Sequence, residues 1–355
     1  MSDKAKLQIK IGDRFIGDEH PPFVIAELSG NHNGDIARAL QILDEAHRAG
    51  AHAVKLQTYT ADTMTIDCDR PEFMIEGGLW GGRQLYELYQ EAATPWEWHQ
   101  PLFERARELG ILIFSTPFDE SAVDFLETLE VPAYKIASFE LVDLPLIRRV
   151  ARAGKPMIMS TGMANETEIG EAVDAAKSAG CEDLVLLHCI SGYPTPFEDS
   201  NVATVAELRN RFGCLVGLSD HSLGTAVSVA AVSLGACVVE KHFTLARSDG
   251  GVDSAFSLEP RELEALVTDT AIAHKAIGQP GYSRKSSEEK NIQFRRSIFV
   301  VKDIAKGEKL TGDNIRCIRP GHGLAPKHLD DVLGKVAVQD ISRGTPLQWD
   351  QFEQD

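Results

Sequence analysis

Two histidines, His221 and His242, each fall at the end of a short apolar run, CLVGLSDH and CVVEKHFT, while two lysines, Lys55 and Lys135, sit inside similar runs, AHAVKLQTY and AYKIAS. An unpaired ammonium in apolar surroundings is costly, so each lysine calls for an anionic partner. A phosphate and a carboxylate on one ligand would answer both lysines, with the hydroxyls of Thr116, Ser138, Ser160 and Ser219 donating to its oxygens. The competing reading is a structural ion pair with Glu240 or Glu140. Two imidazoles on neighbouring strands could share a divalent cation, with water and a substrate oxygen in its other positions. A single histidine at such a place is more often hydrogen-bonded structure, and His188, alone on its run LVLLHCI, is read that way.

These residues need elements that bring them to one place. From Phe23 to about Thr244, eight apolar runs alternate with helical patterns over residues 36–49, 96–109, 121–129, 144–153, 166–179 and 225–234. Strict strand–helix alternation implies right-handed crossovers and a parallel sheet. No GxGxxG follows the first run, and a count of eight fits closure, so the expected fold is an α/β (β/α)8 TIM barrel rather than an open doubly wound sheet.

In such a barrel the C-terminal strand ends converge on one mouth. That places Glu27, with Asn31 and His32 after it, beside Gln57, Ser115, Glu140, Thr161, Tyr193 and Lys241, in addition to the residues above. Residues 60–95, containing GGLWGGRQLYELYQ, are too long for a simple βα loop and are a candidate lid. The barrel is assigned to residues 1–280 with an N-terminal extension, and a Gly-, Ser- and charge-rich stretch makes 281–292 a linker. Within residues 293–355, Asp303-Ile304-x-x-Gly307-x-x-Leu310 recurs as Asp340-Ile341-x-x-Gly344-x-x-Leu347. The repeat predicts a small β-rich domain of approximate twofold symmetry.

Composition narrows the classes. A net charge of −17 argues against nucleic acid or an anionic membrane surface as partner. The acidity belongs to the barrel: 23 Lys+Arg stand against 42 Asp+Glu before Arg284, and 13 against 11 from there on. An anionic substrate therefore needs locally placed lysines. The six cysteines show no CxxC spacing, residues 1–14 are polar, and no run of eighteen uncharged apolar residues occurs, which together predict a cytoplasmic protein.

The segments FVIAELSGNHNG, KLQTY, STPFD, YKIASFE, MSTGM, YPTP, GLSDHS and EKHFTL together resemble the sialic acid synthase family. SIFVVKDIAKGE and RPGHGLAP are similar to the antifreeze-like (SAF, β-clip) domain that this family carries at its C-terminus. The resemblance implies an enzyme, a transferase that condenses phosphoenolpyruvate with an acetamido-sugar aldehyde. It implies that Lys55, Thr116, Lys135, Ser138, Ser160 and Ser219 hold phosphoenolpyruvate. His221 and His242 would hold a divalent metal, Mn2+ or Mg2+ with Co2+ as a third option. Glu27, Gln57, Glu140, Tyr193 and Asp253 would contact the sugar.

It also implies a homodimer in which Arg319 of RPGHG reaches the partner's barrel. Within the family, IAELSGNH, the segment from GGLWGG to WEWH, and SGYPTP are most similar to the pseudaminic acid synthases. The sugar would then be a 2,4-diacetamido-2,4,6-trideoxy-L-altrose, with Leu79, Trp80, Leu85 and Tyr86 either sheltering its deoxy methyl group or serving as ordinary packing; N-acetylneuraminate or legionaminate synthesis is the alternative. Glu27 is expected either to position water or only to grip the sugar. Two rivals stand outside this reading: a pyruvate aldolase with Lys135 or Lys241 as Schiff-base nucleophile, and an ice-binding role for the second domain, in which Thr311 and Thr345 hardly make a regular array.

Overall fold

A computed structural model describes residues 7–354. Eight parallel strands close into a barrel: β3 (Phe23–Glu27), β4 (Ala53–Thr58), β5 (Leu112–Pro117), β6 (Tyr134–Ile136), β7 (Met157–Ser160), β8 (Leu184–Cys189), β9 (Leu215–Ser219) and β10 (Val238–His242), with β10 pairing back onto β3. Nearly every residue of these strands is buried, as expected where helices cover the outside and side chains fill the inside. Closure between β9 and β10 depends on Gly217, where a Cβ would meet Val238 O at 2.3 Å. That close approach sets the spacing of the two strands that lead to His221 and His242.

The helical patterns fold within one or two residues of their expected ends, for instance Ile36–Arg48, Trp96–Leu109 and Glu166–Ser178. Caps fix where they start: Asp35, Asp119 and Asn165 each accept backbone N–H bonds from the first turn. Two elements were not expected. The helix Thr204–Phe212 joins β8 to β9 and buries only Val205 and Leu208, too thin an apolar stripe to stand out. The polar N-terminal stretch contains a hairpin, β1 (Gln8–Ile11) and β2 (Arg14–Gly17), which buries Ile9, Ile11 and Ile16; residues 1–6 of that stretch lie outside the described residues. Asp18 after β2 pairs with Arg209 of the unexpected helix. Gly12 in its turn lies against Leu112 at the start of β5, so the hairpin caps the N-terminal end of the barrel.

The chain divides into two compact units, Met1–Gly278 and Gln279–Asp355. The residues read as a linker belong to the second unit and carry a short helix, Ser286–Glu289. In that unit β11 (Ser297–Val300) pairs antiparallel with β12 (Ile315–Ile318) over a small core that includes Ile298, Leu310, Ile315, Ile341 and Leu347. The two echoed segments face each other: Ile304 and Ile341 exchange backbone bonds of 2.9 and 2.8 Å, Arg343 N donates to Asp303 Oδ1 and Lys306 N to Asp340 Oδ1, each at 2.7 Å. Gly307 and Gly344 take the same left-handed turn, φ 87° and 90°. Among the described residues no helix is long and apolar enough to cross a membrane.

Candidate active site

Strand alternation decides which polar residues enter the barrel. Lys55 and Gln57 of β4 face inward, and Leu56 and Thr58 outward; Thr116 faces in and Ser115 out. Lys55 Nζ lies 2.6 Å from Glu27 Oε2 and 3.5 Å from Glu240 Oε1, and donates to Thr116 Oγ1 at 3.1 Å. Lys135 Nζ reaches the same Glu240 oxygen at 3.5 Å and donates to Ser160 Oγ at 2.7 Å. Ser219 Oγ donates to Glu240 Oε1 at 3.2 Å. The lysines thus converge on one carboxylate, and all of these side chains are buried. Both the ion-pair and the ligand interpretation find support: Glu240 pairs with the two lysines, yet its Oε2 and Glu27 Oε1 have no hydrogen-bond partner. Buried carboxylate oxygens without partners are costly.

Titration follows from this crowding. Burial, against the pull of Lys55 and with the push of Glu240, raises the Glu27 carboxyl to about 7. Burial likewise raises Glu140 to about 7. Burial lowers Lys135, whereas Lys55 ends raised because Glu240 and Glu27 outweigh its own burial.

One step toward the mouth, the His221 and His242 rings lie with centroids 5.3 Å apart. His221 Nδ1 is 2.9 Å from the Ile190 carbonyl, which can only accept, so that nitrogen carries a proton, and in the neutral ring Nε2 keeps its lone pair. His242 Nδ1 is buried with no hydrogen-bond partner, 3.9 Å from Asp253 Oδ2. Burial and the neighbouring imidazole hold His242 far below the usual histidine range, hence neutral and able to ligate. Burial lowers His221, but the neighbouring Cys189 and the Ile190 carbonyl outweigh it and leave this imidazole raised, so a divalent cation shared by the two rings would release a proton from His221 and would take its remaining positions from water and substrate. Among the described residues no cluster of three or more His, Cys, Asp or Glu forms a complete cage.

Above the histidines lies a cavity of about 380 Å³, lined by Gln57, Glu140, Tyr193, His242 and Asp253 on its polar side. Ser29 donates to Asp253 and fixes it. The opposite wall comes from the long insertion: Met64, Ile75, Trp80, Leu85, Leu88 and Tyr89. Trp80 Nε1 donates to Val252 O at 2.8 Å and the ring lies 5.4 Å from Tyr193, so the insertion is tied over the mouth. Of the four residues expected to shelter a methyl group, Trp80 and Leu85 line the cavity; Leu79 and Tyr86 do not. Leu79 is exposed, and Tyr86 turns outward to donate to Asp62 at 3.0 Å. On the helix Leu85–Ala92 the inward face is Leu85, Leu88 and Tyr89, spaced three and four residues apart, so Tyr86 falls on the other side.

The barrel residues expected to hold phosphoenolpyruvate, the metal and the sugar therefore join one connected region, and Ser138 enters it through Cys189, at 3.3 Å from its Sγ. Arg319 belongs to the second unit, where it is exposed just after β12. Several neighbours along the strands do not reach the site. Ser115 bonds Thr58 at 2.6 Å in the strand–helix layer, Asn31 ties down Phe243 O, His32 packs edge-on against Trp98, and Thr161 donates to Leu187 O. His188 meets the Ser200 carbonyl at 2.9 Å, the structural role expected of it. Lys241 also points away from the cavity, into an ion pair with Asp220, which removes it as a Schiff-base nucleophile. Missed in the sequence were Cys189, 3.8 Å from His221 Nδ1, and Phe256, 4.8 Å from the His242 ring. A cysteine inside an apolar run and a lone phenylalanine in the short turn Ser254–Phe256 signal no site.

Comparison with known proteins places this geometry. The NeuB family model matches residues 42–282 and the SAF domain model residues 295–353. The pseudaminic acid synthase of Campylobacter jejuni is 45% identical over 93% of this chain and 96% of its own length. The N,N'-diacetyllegionaminic acid synthase of Legionella pneumophila is 37% identical over 93% and 94%. Among solved structures, the N-acetylneuraminic acid synthetase of Leptospira borgpetersenii, in complex with citrate, superposes with TM-score 0.73 at 33% identity, covering 82% of this chain and 96% of that one.

Proposed function

The chain belongs to the NeuB family, and on that premise we propose that it condenses phosphoenolpyruvate with 2,4-diacetamido-2,4,6-trideoxy-L-altrose, yielding pseudaminic acid and phosphate. The single observation that carries the chemistry is the pair of buried lysines, Lys55 and Lys135, sharing one carboxylate in a barrel whose chain is acidic elsewhere. The sugar assignment rests on the higher identity to the pseudaminate enzyme than to the legionaminate enzyme.

Lys55 and Lys135 bind the phosphate and carboxylate of phosphoenolpyruvate, and Thr116, Ser138, Ser160 and Ser219 supply hydroxyl donors to its oxygens. Gln57, Glu140, Tyr193 and Asp253 orient the open-chain sugar so that its aldehyde carbon faces the enol carbon. A divalent cation on His221 and His242 would supply stabilisation of the negative charge that develops on the aldehyde oxygen. Attack by the enol carbon forms the new C–C bond and leaves an oxocarbenium centre. Glu27 holds the water that adds there, takes up one of its protons and returns it to the alkoxide left by the aldehyde; the tetrahedral intermediate then collapses to the ketone as the C–O bond to phosphate breaks, its hydroxyl proton leaving with the phosphate. The raised Glu27 carboxyl, at about 7, suits a group that must exchange a proton near neutrality.

Arg319 completes the site from the partner of a homodimer, which gives the second domain its purpose in shutting out water. The six free cysteines support a reducing compartment, the cytoplasm. Phosphate release from phosphoenolpyruvate, measured against a panel of acetamido sugars with and without EDTA, tests the reading. Turnover is expected with the L-altro sugar and is lost with chelator. Preference for a manno-configured diacetamido sugar would transfer the assignment to the legionaminate branch, and chelator-indifferent turnover of pyruvate would reject the reaction class.

A further inference from the structure

The residue beside each of the two histidines faces the other way. Because side chains alternate along a strand, Ser219 and His221 point to the barrel axis and Asp220 outward, while Glu240 and His242 point inward and Lys241 outward. The two outward residues meet. Lys241 Nζ lies 2.9 Å from Asp220 Oδ2, with the side chains 0% and 2% exposed.

This pair is held from every side. Lys241 Nζ donates to Ser222 O at 2.6 Å; Asp220 Oδ1 accepts from Ser222 N at 2.8 Å and from Ser222 Oγ at 2.6 Å. Ser228, on the covering helix Ala226–Ser233, donates to Asp220 Oδ2 at 2.6 Å, and Asp220 N donates to Glu240 O at 2.9 Å. An ion pair buried this deeply adds little net stability over an apolar pair of similar volume. What it does add is direction: one cross-strand bond of fixed length, a single peptide unit from His221 on one side and from His242 on the other. Neither group bonds an imidazole ring, so the restraint acts through the backbone that carries the two histidines.

The geometry points to Asp220 and Lys241 as a positioning pair that sets the separation of His221 and His242, and thereby the affinity of the cation site, while touching neither cation nor substrate. The inference rests on reading the two histidines as cation ligands. The test is Mn2+ binding to the full-length protein, followed by the electron paramagnetic resonance of free Mn2+ well below the melting temperature, in Lys241→Met, Asp220→Asn, Lys241→Arg and His242→Ala proteins.

Breaking the pair is expected to weaken Mn2+ binding by about 10- to 100-fold in Lys241→Met and Asp220→Asn. Lys241→Arg keeps the charge and should retain most of the affinity. Phosphoenolpyruvate binding to the metal-free variants, by calorimetry, should stay within about twofold of the parent, because Lys55 and Lys135 are untouched. Should the two charge-removing variants not fold, Ser228→Ala, which removes one bond to Asp220, is expected to weaken Mn2+ binding by a smaller factor, and parent-like binding there would overturn the inference. Parent-like Mn2+ affinity in Lys241→Met and Asp220→Asn, with lowered melting temperature alone, would reduce the pair to a stability role. Parent-like affinity in His242→Ala would overturn the cation reading itself, and the positioning role with it.

Discussion

The turn pair of the second unit and the mouth of the barrel treat polar groups in opposite ways. In the second unit Asp303 and Asp340 each accept one backbone N–H from the other repeat at the same 2.7 Å, and Ile304 and Ile341 exchange both of theirs. At the barrel mouth, Glu27 Oε1, Glu240 Oε2, Glu140 Oε2, Ser191 Oγ and His242 Nδ1 are buried without hydrogen-bond partners. Unpartnered buried atoms also occur away from the mouth, at Asn31 Oδ1, His32 Nε2, Thr94 Oγ1 and Tyr134 Oη, so the contrast is one of concentration: most of them gather where a ligand would supply the partners. The same contrast governs charge: the lysines of the mouth share carboxylates at close range inside a barrel that is otherwise strongly acidic.

Four perturbations should break or sharpen this contrast. The largest effect belongs to Lys135→Met, which leaves Glu240 with one cation fewer and removes the contact to phosphoenolpyruvate proposed above. A loss of roughly 3–5 kcal/mol of transition-state binding, or about 10²- to 10³-fold or more in kcat/KM, is expected in the phosphate-release assay. Next, EDTA should suppress turnover by about 10²-fold or more, with Mn2+ restoring it in the parent and not in His242→Ala. Mixing Arg319→Ala with His242→Ala protein should then regenerate a fraction of intact sites if Arg319 acts in the partner's barrel; no recovery despite proven subunit exchange would count against the trans arrangement.

Smaller still is the pH effect. Glu27 is neutral below about 7 and anionic above it. Its ionised form pairs with Lys55 and competes with the incoming phosphate, so phosphoenolpyruvate binding should weaken, relative to Glu27→Gln, as pH rises from 6 to 8. Calorimetric dissociation constants of the two proteins at both pH values give the comparison; parallel pH profiles would contradict it.

The alternation of short apolar runs with helical patterns of period 3.6 made the barrel legible, because eight such runs and their covering helices repeat a single unit. It also located the strand ends, and so the lysines and histidines. It did not tell which of two adjacent polar residues faces in: Ser115 and Thr116 read alike until the pleat separates them. For the same reason Lys241 joined the candidates by position and left them by orientation. The insertion was legible only as an interruption, since Met64, Ile75 and Leu88 come from separate short segments that meet over the mouth. The N-terminal hairpin was missed because its four-residue strands bury only three isoleucines. The echoed segments of the second unit were legible as a repeat because glycine and aspartate at fixed offsets specify the turn and its acceptor.

The most direct test follows the bridging oxygen. Phosphoenolpyruvate carrying 18O between carbon and phosphorus should deliver that label to the released phosphate, because water held in the mouth attacks carbon and the C–O bond breaks. Recovery of the label in the keto acid product would mean attack at phosphorus and contradict the roles given to Glu27, Lys55 and Lys135.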